Sequence, residues 1–262
     1  MNRTPPGTVS RVLQALYGAY ALTGFVLLAL TAFLLVLLPF GLPARRSIGR
    51  TCARLFFRAV GIRIMVADAL ELPPGPCVVV ANHASYIDGV VLEAVLPARF
   101  CFVIKKEVTS VPIVGLLLRR IGSEFVDRFN RHAGGVDARR LIKAADAGQS
   151  LVFFPEGTFL KQPGVAKFHT GAFAIAARSG LAIAPVAIRG TRAILPAGSI
   201  LPRPGRIDLQ ILPAVGPFSS AHASEAMATL RSQARARIVA ALGEPDLSDD
   251  DGVAALEAAR KA

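Results

Sequence analysis

The chain has 262 residues, which is room for one globular domain of ordinary size and an appendage. Its apolar fraction of 53% is too high for a fold that meets water on every side, so part of this content must lie elsewhere. The formal net charge of +12 suits an anionic membrane surface or anionic substrates, and three cysteines without short spacing exclude a disulfide framework.

The first element along the chain is an uncharged apolar segment that runs from Tyr17 to Phe40. As a helix it is long enough to cross a hydrocarbon core of about 30 Å, which needs about 20 residues. It is longer than the apolar region of a usual signal peptide, and no convincing small-x-small cleavage site follows it. The sequence therefore predicts an N-terminal membrane helix, with a cleaved signal peptide and a buried core helix as the alternatives.

Arginines flank this segment unevenly, since two precede it and five follow it closely. Under the positive-inside tendency, this predicts the cell (inner) membrane, with the larger C-terminal portion on the cytoplasmic face. Four of the five recur every four residues: Arg46, Arg50, Arg54 and Arg58. This spacing predicts a basic stripe on a helix that lies on anionic headgroups, or else an ordinary solvated helix face. No aromatic-interleaved basic patch, zinc finger or RNP-like run occurs, so nucleic acid is not an expected partner.

From about Ile62 the pattern changes to short apolar runs that alternate with helical stretches. Such alternation predicts an α/β layer of buried strands with flanking helices. The chain then divides into a membrane anchor with a basic interfacial segment over 1–60, a main domain over 61–243 and an acidic, solvated C-terminal tail over 244–262. The predicted strands are 62–66, 77–81, 100–104, 151–154, 182–188 and 207–212, and the predicted helices are 87–96, 111–121, 136–147, 171–179 and 224–242.

The first run whose side chains suggest catalytic chemistry extends from Asn82 to Asp88. His83 comes just past the end of a predicted buried strand, where sites of α/β proteins usually form, and Asp88 follows at a helix start. A neutral imidazole can take a proton from a hydroxyl near pH 7, and a nearby carboxylate can hold the ring by its other nitrogen. The alternatives are a histidine and a capping aspartate that only satisfy local hydrogen bonds, and a metal site, for which further ligands at sensible spacing are missing.

Two further runs and a lysine pair place polar residues after predicted strands. Glu156 and Gly157 follow a buried strand, where a carboxylate can bind substrate hydroxyls or orient basic groups and backbone N–H groups can face an oxyanion, although an ordinary turn fits the same residues. Arg128 follows a short apolar stretch, and an arginine grips phosphate with a bidentate fork. Lys105 and Lys106 are further cations at a strand end. Each of these charges alone is more often a surface charge than a ligand.

Together these runs resemble the glycerophosphate and lysophospholipid acyltransferase family, which includes 1-acylglycerol-3-phosphate acyltransferases. The family's four blocks occur here in order: His83 to Asp88, Gly122 to Arg128, Phe154 to Thr158 and Ala184 to Ile188. HxxxxD alone is a weak signal, but HxxxxD together with FPEGT at this separation is specific. The resemblance covers roughly residues 60 to 215. It implies a mixed, mostly parallel sheet flanked by helices, and it makes 61–243 an acyltransferase catalytic domain.

The resemblance also implies a role for each site residue. His83 would be the general base and Asp88 its partner, while the nearby cations would hold the acceptor's phosphate and the FPEGT block would shape the acceptor pocket. No metal and no tightly bound cofactor would take part. The substrate-binding residues implied in this way are Lys105, Lys106, Arg128, Glu156, Gly157 and Thr158.

By the same resemblance, the chain would move a fatty acyl group from acyl-CoA or acyl carrier protein to the free hydroxyl of a lysophospholipid at the bilayer. The first expectation for the acceptor is 1-acylglycerol-3-phosphate, which gives phosphatidic acid. One residue departs from the family, because Phe159 stands where many members have an arginine on the phosphate. Another lysolipid, such as a lyso-ornithine lipid, is therefore an alternative acceptor. A lipid ester hydrolase and a non-catalytic membrane-binding protein are the alternatives from other classes.

Overall fold

The computed structural model describes residues 8–67, 72–127, 131–218 and 223–248. A seven-stranded sheet forms its centre, with helices packed on both faces. The helices are α1 (Thr8–Leu37), α2 (Leu42–Ala59), α3 (Asp88–Val95), α4 (Pro112–Arg120), α5 (Arg131–Asp146), α6 (Gly171–Arg178), α7 (Thr191–Ile194) and α8 (Ala223–Leu242). The strands are β1 (Arg63–Ala67), β2 (Cys77–Ala81), β3 (Phe100–Lys105), β4 (Glu124–Val126), β5 (Ser150–Phe153), β6 (Val165–Ala166), β7 (Ala182–Arg189), β8 (Arg206–Ile211) and β9 (Asp246–Leu247).

The strands of the large sheet follow the order β1-β8-β7-β2-β5-β3-β4. The five strands from β7 to β4 in this order are parallel, whereas β8 pairs antiparallel with β7, and β1 is parallel to β8. The mixed, mostly parallel sheet is thus confirmed. Because the five strands are parallel, their carboxyl ends meet at one edge of the sheet, which we call the carboxyl edge.

The core lies on both faces of this sheet because β2 is apolar at all five positions and fully buried. Alternate side chains face opposite layers: Val79 packs with residues of α2 and α3, and Val78 and Val80 pack with residues of α5, α6 and α8. We call the side covered by α1 to α4 the anchor face and the side covered by α5, α6 and α8 the outer face. Each predicted strand and helix is present, with bounds shifted by a few residues, whereas β4, β6 and β9 were not predicted.

α1 is long and apolar enough to cross a membrane by length and composition, and an 18-residue window within Val9–Leu37 has a mean hydropathy of 2.4. It does not stand apart from the domain. The Tyr17 hydroxyl donates a hydrogen bond to the Val60 carbonyl at 2.8 Å, and Arg120 Nε donates to the Val36 carbonyl at 2.9 Å. These contacts lie near opposite ends of α1, so the helix is held along the anchor face while many of its apolar side chains stay exposed.

The arginines of α2 do not form the predicted free stripe. Arg46 is buried, and its Nε donates to the Ile121 carbonyl at 3.0 Å. Arg50 and Arg54 donate to carbonyls in the last turn of α3, at 3.0 and 2.7 Å. The expectation that the stripe lies on headgroups is therefore wrong for Arg46 and stays a prediction for the other arginines of the stripe. Arg46 binds the carbonyl that follows α4, while Arg50 and Arg54 satisfy carbonyls that the end of α3 leaves without partners and so fix α3 in place.

The start of the predicted acidic tail belongs to the fold. β9 pairs with β6, and Arg235 holds both carboxylate oxygens of Asp246 at 2.6 Å. Glu244 accepts from Arg192 at 2.6 Å. The expectation of a solvated tail is therefore wrong for 244–248, and 249–262 lies outside the described residues.

Candidate active site

His83 is held at the carboxyl edge by the residue that precedes it. The Asn82 amide donates to the Ile188 carbonyl at 3.0 Å and accepts from the Ile188 N–H at 2.7 Å. This pair of bonds extends the pairing of β2 with β7 by one step beyond Ala81. The loop that carries His83 therefore starts from a fixed point, as a catalytic side chain requires.

His83 and Asp88 form the pair that the sequence suggested. His83 Nδ1 lies 2.9 Å from Asp88 Oδ2, and the same oxygen accepts from the backbone N–H groups of Ala84 and Ser85 at 2.7 and 2.8 Å. The Asp88 side chain is fully buried, whereas that of His83 is 19% exposed. Because three donors converge on Oδ2, Asp88 favours the tautomer with its proton on Nδ1, which leaves Nε2 as the basic nitrogen.

Glu156 lies beside this pair but has a different role from the one predicted. It is buried, with Oε1 accepting from the His83 N–H at 2.7 Å and Oε2 accepting from the Ala166 N–H at 2.8 Å. Burial raises the pKa of this carboxyl to about 8. With both oxygens engaged by backbone, Glu156 ties two loops together and positions His83. The prediction that it contacts the acceptor directly does not agree with this geometry.

Two aromatic rings pack on the imidazole, and a third packs on one of them. The Phe154 ring stacks on His83 with centroids 4.3 Å apart, and the Phe159 ring meets His83 edge-on at 4.8 Å. Tyr86 in turn packs perpendicular to Phe159 at 4.7 Å. The rings of Phe154 and Phe159 therefore give the imidazole apolar neighbours. Sequence reasoning noted Phe159 only as a missing charge and did not find Phe154, although both flank the PEG run.

The predicted phosphate-binding cations lie farther along the carboxyl edge. Lys105 and Lys106 follow β3, two strands away from β2, and both are exposed. The Lys106 ammonium lies 3.7 Å from Asp127 Oδ2. Arg128, the next residue, lies outside the described residues. The structure therefore brings His83, Asp88 and Glu156 together and leaves the lysines as a separate group on the same edge.

The two small residues of the FPEGT block also differ in what they offer. Gly157 has φ of 77°, a left-handed conformation that favours glycine. Its N–H already donates to the Phe154 carbonyl at 3.1 Å, so it is not the oxyanion donor that the sequence suggested. Thr158 is exposed beside it and can reach a bound substrate.

The structure offers no side-chain nucleophile beside His83 among the described residues. The Ser85 hydroxyl is buried and donates to the Leu195 carbonyl at 2.7 Å. Cys52, Cys77 and Cys101 are buried, and burial raises the pKa of each thiol, that of Cys101 to about 11. The arrangement therefore fits direct attack by a substrate hydroxyl, with His83 as base, instead of a covalent enzyme intermediate.

An apolar cavity of about 340 Å³ opens on the anchor face beside Tyr86, three residues after His83. Tyr86 and Gly89 line it near the carboxyl edge, and Glu93 and Ile121 line it at the other end. The side chains of α1, α2 and α4 that complete the wall are apolar. Glu93 is the charged residue of the lining, and burial raises its pKa to about 7. Such a cavity suits a hydrocarbon chain whose reactive end lies at His83.

A histidine oriented by a buried aspartate, at the carboxyl edge of an α/β sheet and beside an apolar cavity, is an arrangement suited to acyl transfer. Residues 63–189 match the family model described as Acyltransferase. Residues 63–189 therefore form a domain of the acyltransferase family. The matched segment contains His83, Asp88 and Glu156.

Several known proteins are similar to this chain. It is 32% identical over 179 residues to the chloroplastic 1-acyl-sn-glycerol-3-phosphate acyltransferase of Arabidopsis thaliana, covering 64% of this chain and 50% of the relative. It is 34% identical over 145 residues to the lyso-ornithine lipid O-acyltransferase of Pseudomonas aeruginosa, covering 54% of this chain and 51% of the relative. The chain thus spans about half the length of these curated relatives.

The fold is also that of a solved structure. The crystal structure of the 1-acyl-sn-glycerophosphate acyltransferase from Thermotoga maritima superposes with a TM-score of 0.65 at 23% sequence identity. The match covers 87% of this chain and 96% of that one. At this identity the likeness concerns the fold, and it includes an N-terminal region beyond the family match.

Proposed function

We propose that this protein transfers a fatty acyl group from a thioester donor to the free hydroxyl of a lysophospholipid, with 1-acylglycerol-3-phosphate as the first acceptor and phosphatidic acid as the product. The observation that carries the proposal is the bond between His83 Nδ1 and Asp88 Oδ2, which leaves Nε2 available to take a proton from the acceptor hydroxyl. The names of the similar acyltransferases support this choice of reaction.

The proposed reaction proceeds in two steps without a cofactor. His83 Nε2 takes the proton of the lysolipid hydroxyl while the oxygen attacks the thioester carbon, and Asp88 stabilises the imidazolium that forms. The tetrahedral intermediate then collapses, the carbon–sulfur bond breaks, and the imidazolium returns the proton to the leaving thiolate. The products are the diacylated lipid and the free thiol. Acyl-CoA and acyl carrier protein both supply such a thioester.

The anchor face provides the proposed contact with the lipid bilayer. Many apolar side chains of α1 are exposed, and Val111, Ile113, Val114 and Leu116 extend this surface at the start of α4. Because α1 is bound to the domain near both of its ends, we place the domain and the helix together at the membrane. We assign the cell (inner) membrane and the cytoplasmic face. Protease added to inverted vesicles, whose cytoplasmic side faces the medium, should cleave the domain on the side covered by α5, α6 and α8. Protection of this side would contradict the proposed orientation.

The cations of the carboxyl edge supply the proposed site for the acceptor's phosphate. Lys105 ends β3 and Lys106 follows it, so both can approach a phosphate along this edge, and we propose that Arg128, two residues after β4 in the sequence, joins them. Thr158 and the Phe159 ring would border the acceptor's glycerol. In this arrangement the hydroxyl lies at His83 while the phosphate is held along the edge.

A second candidate acceptor is a lyso-ornithine lipid, and Phe159 is the observation that favours it. Its ring lies 4.8 Å from the His83 ring, where a phosphate-binding arginine would stand in many family members. An apolar ring here suits an acceptor without a phosphate monoester. The similar protein from Pseudomonas aeruginosa is named for that activity.

The experiment that tests the proposal is acyl transfer by the purified, detergent-solubilised protein. Labelled palmitoyl-CoA and palmitoyl carrier protein are each offered with lysophosphatidate, a lyso-ornithine lipid and other lysolipids. We expect transfer that His83→Ala lowers about 1000-fold, since general-base catalysis contributes about 100- to 10,000-fold. Release of free fatty acid without transfer would indicate a hydrolase. Equal activity in the variant would remove His83 from the mechanism.

A further inference from the structure

A second cavity, of about 430 Å³, lies on the outer face between α5 and α6. Its upper end is formed by residues of the FPEGT block, Phe154, Pro155 and Gly157, and its far end by Arg178 at the end of α6. We call it the α5/α6 groove. α6, which forms one wall of the groove, has eight residues, so the groove extends for about 12 Å away from the carboxyl edge.

The α5/α6 groove reaches the catalytic base through one ring. Phe154 stacks on His83 at 4.3 Å and also lines the groove. The apolar cavity approaches the same histidine from the anchor face through Tyr86. A thioester at His83 therefore has one cavity on each face of the sheet. Its two substituents, the acyl chain and the carrier, can leave in opposite directions.

The two cavities differ in chemistry in the way that these substituents differ. The anchor-face cavity is almost entirely apolar and lies under α1, so it suits the hydrocarbon chain. The α5/α6 groove combines apolar walls, such as Leu141 and Ile175, with polar groups, including Thr170 and the exposed Arg178. A ligand for it should be a narrow chain with both methyl and amide groups.

Two acidic side chains, Asp127 and Asp137, line the groove wall, and both have basic partners. The Lys106 ammonium lies 3.7 Å from Asp127 Oδ2. Asp137 Oδ2 accepts from the Asp127 N–H at 2.8 Å, and its Oδ1 pairs with Arg140 at 3.1 Å. Its charge is therefore used within the protein and does not repel an anionic ligand as a free carboxylate would. Arg178 adds a positive charge at the end of the groove that lies away from His83.

We propose that the α5/α6 groove binds the 4′-phosphopantetheine arm of the acyl donor. The arm has two amides, a hydroxyl and a pair of methyl groups, and it ends in a phosphate that Arg178 can approach. CoA and acyl carrier protein share this arm, so the groove serves either donor. The inference rests on the proposed acyl transfer and adds the place where the arm of the donor binds.

The test compares donors with and without the arm. Palmitoyl-CoA and palmitoyl carrier protein carry the full arm, whereas the palmitoyl thioester of N-acetylcysteamine keeps only its first amide. Ala174→Phe and Ala138→Phe, on opposite walls, fill the groove. We expect each to raise the ratio of KM for a full-length donor to KM for the short donor at least tenfold. Ala228→Phe, at an exposed position of α8, is the matched control and should leave this ratio unchanged.

The outcomes separate the groove from the proposed reaction. A raised ratio for every full-length donor that the wild type uses supports the groove, because the donors share the arm. An unchanged ratio in both filled variants, with both still active on the short donor, would overturn the inference while leaving acyl transfer intact. Absence of transfer by the wild type from every donor would instead refute the proposed function. Arg178→Gln should raise KM several-fold for both full-length donors and not for palmitoyl-pantetheine, which lacks the phosphate.

Discussion

Two buried carboxylates lie beside His83, and their comparison separates chemistry from positioning. Asp88 and Glu156 are both almost inaccessible, and each accepts two backbone N–H groups. Asp88 also accepts from the imidazole ring, whereas the bond between Glu156 and His83 involves only the backbone N–H of His83. One acid therefore acts on the base electronically and the other only through its location.

The largest effect should follow from Asp88→Asn. The neutral amide can keep one bond to the loop, but it no longer stabilises the imidazolium and can favour the wrong tautomer. We expect kcat to fall about 1000-fold or more with little change in KM, since the equivalent change in a His–Asp pair of a hydrolase costs about 10,000-fold. Steady-state kinetics with palmitoyl-CoA measure this. A fall of less than tenfold would mean that Asp88 is only a cap.

Glu156→Gln should have a smaller effect of a different kind. The new NH2 group would face a backbone N–H, so one of the two bonds to His83 or Ala166 is lost, at a cost of about 1–3 kcal/mol. We expect kcat to fall about 10- to 100-fold because the His83 loop shifts. The apparent pKa of the base in the pH–rate profile should stay as in the wild type. A displaced pKa would show that Glu156 interacts with the imidazole charge directly.

Phe159→Arg sharpens the comparison at the level of the acceptor. An arginine here would stand beside His83 and can pair with a phosphate monoester. We expect the ratio of kcat/KM for lysophosphatidate to that for a lyso-ornithine lipid to rise about tenfold, which corresponds to about 1.4 kcal/mol. Phe159→Leu is the control, because it removes the ring without adding charge. A similar rise with leucine would assign the selectivity to space instead of charge.

The parts of the molecule that were predictable from sequence are those with local signals. Apolar runs such as Val78 to Val80 gave strands, and HxxxxD with FPEGT located the pair His83 and Asp88. The role of Glu156 was missed because its partners are backbone groups of two other loops, which no side-chain pattern records. The short strands β6 and β9 were missed for a related reason, since they pair residues about 80 positions apart. The helical spacing of Arg46 and Arg50 was correct, but spacing does not tell whether a face meets lipid or protein.

Glu93 extends the comparison to a third buried carboxyl, which lies in the apolar cavity and does not touch the imidazole. Burial raises its pKa to about 7, although Arg46 and Arg50 oppose this shift. The folded protein therefore holds the proton more tightly than the unfolded chain. The resulting stability is fully present below the unfolded pKa of 4.5 and is lost as pH rises through about 7.

Glu93→Gln, which cannot titrate, should remove this dependence while changing activity least of the four substitutions. Between pH 4.5 and 8 we expect the wild type to lose up to about 3 kcal/mol of unfolding free energy relative to the variant, from about 1.4 kcal/mol per pKa unit. Denaturant unfolding of both proteins in the same detergent, at several pH values, measures the difference. A difference that stays constant across this range would mean that Arg46 and Arg50 keep the carboxyl ionised. The end of the apolar cavity would then be charged, and it would exclude the terminal methyl of a long acyl chain more strongly than a protonated carboxyl does.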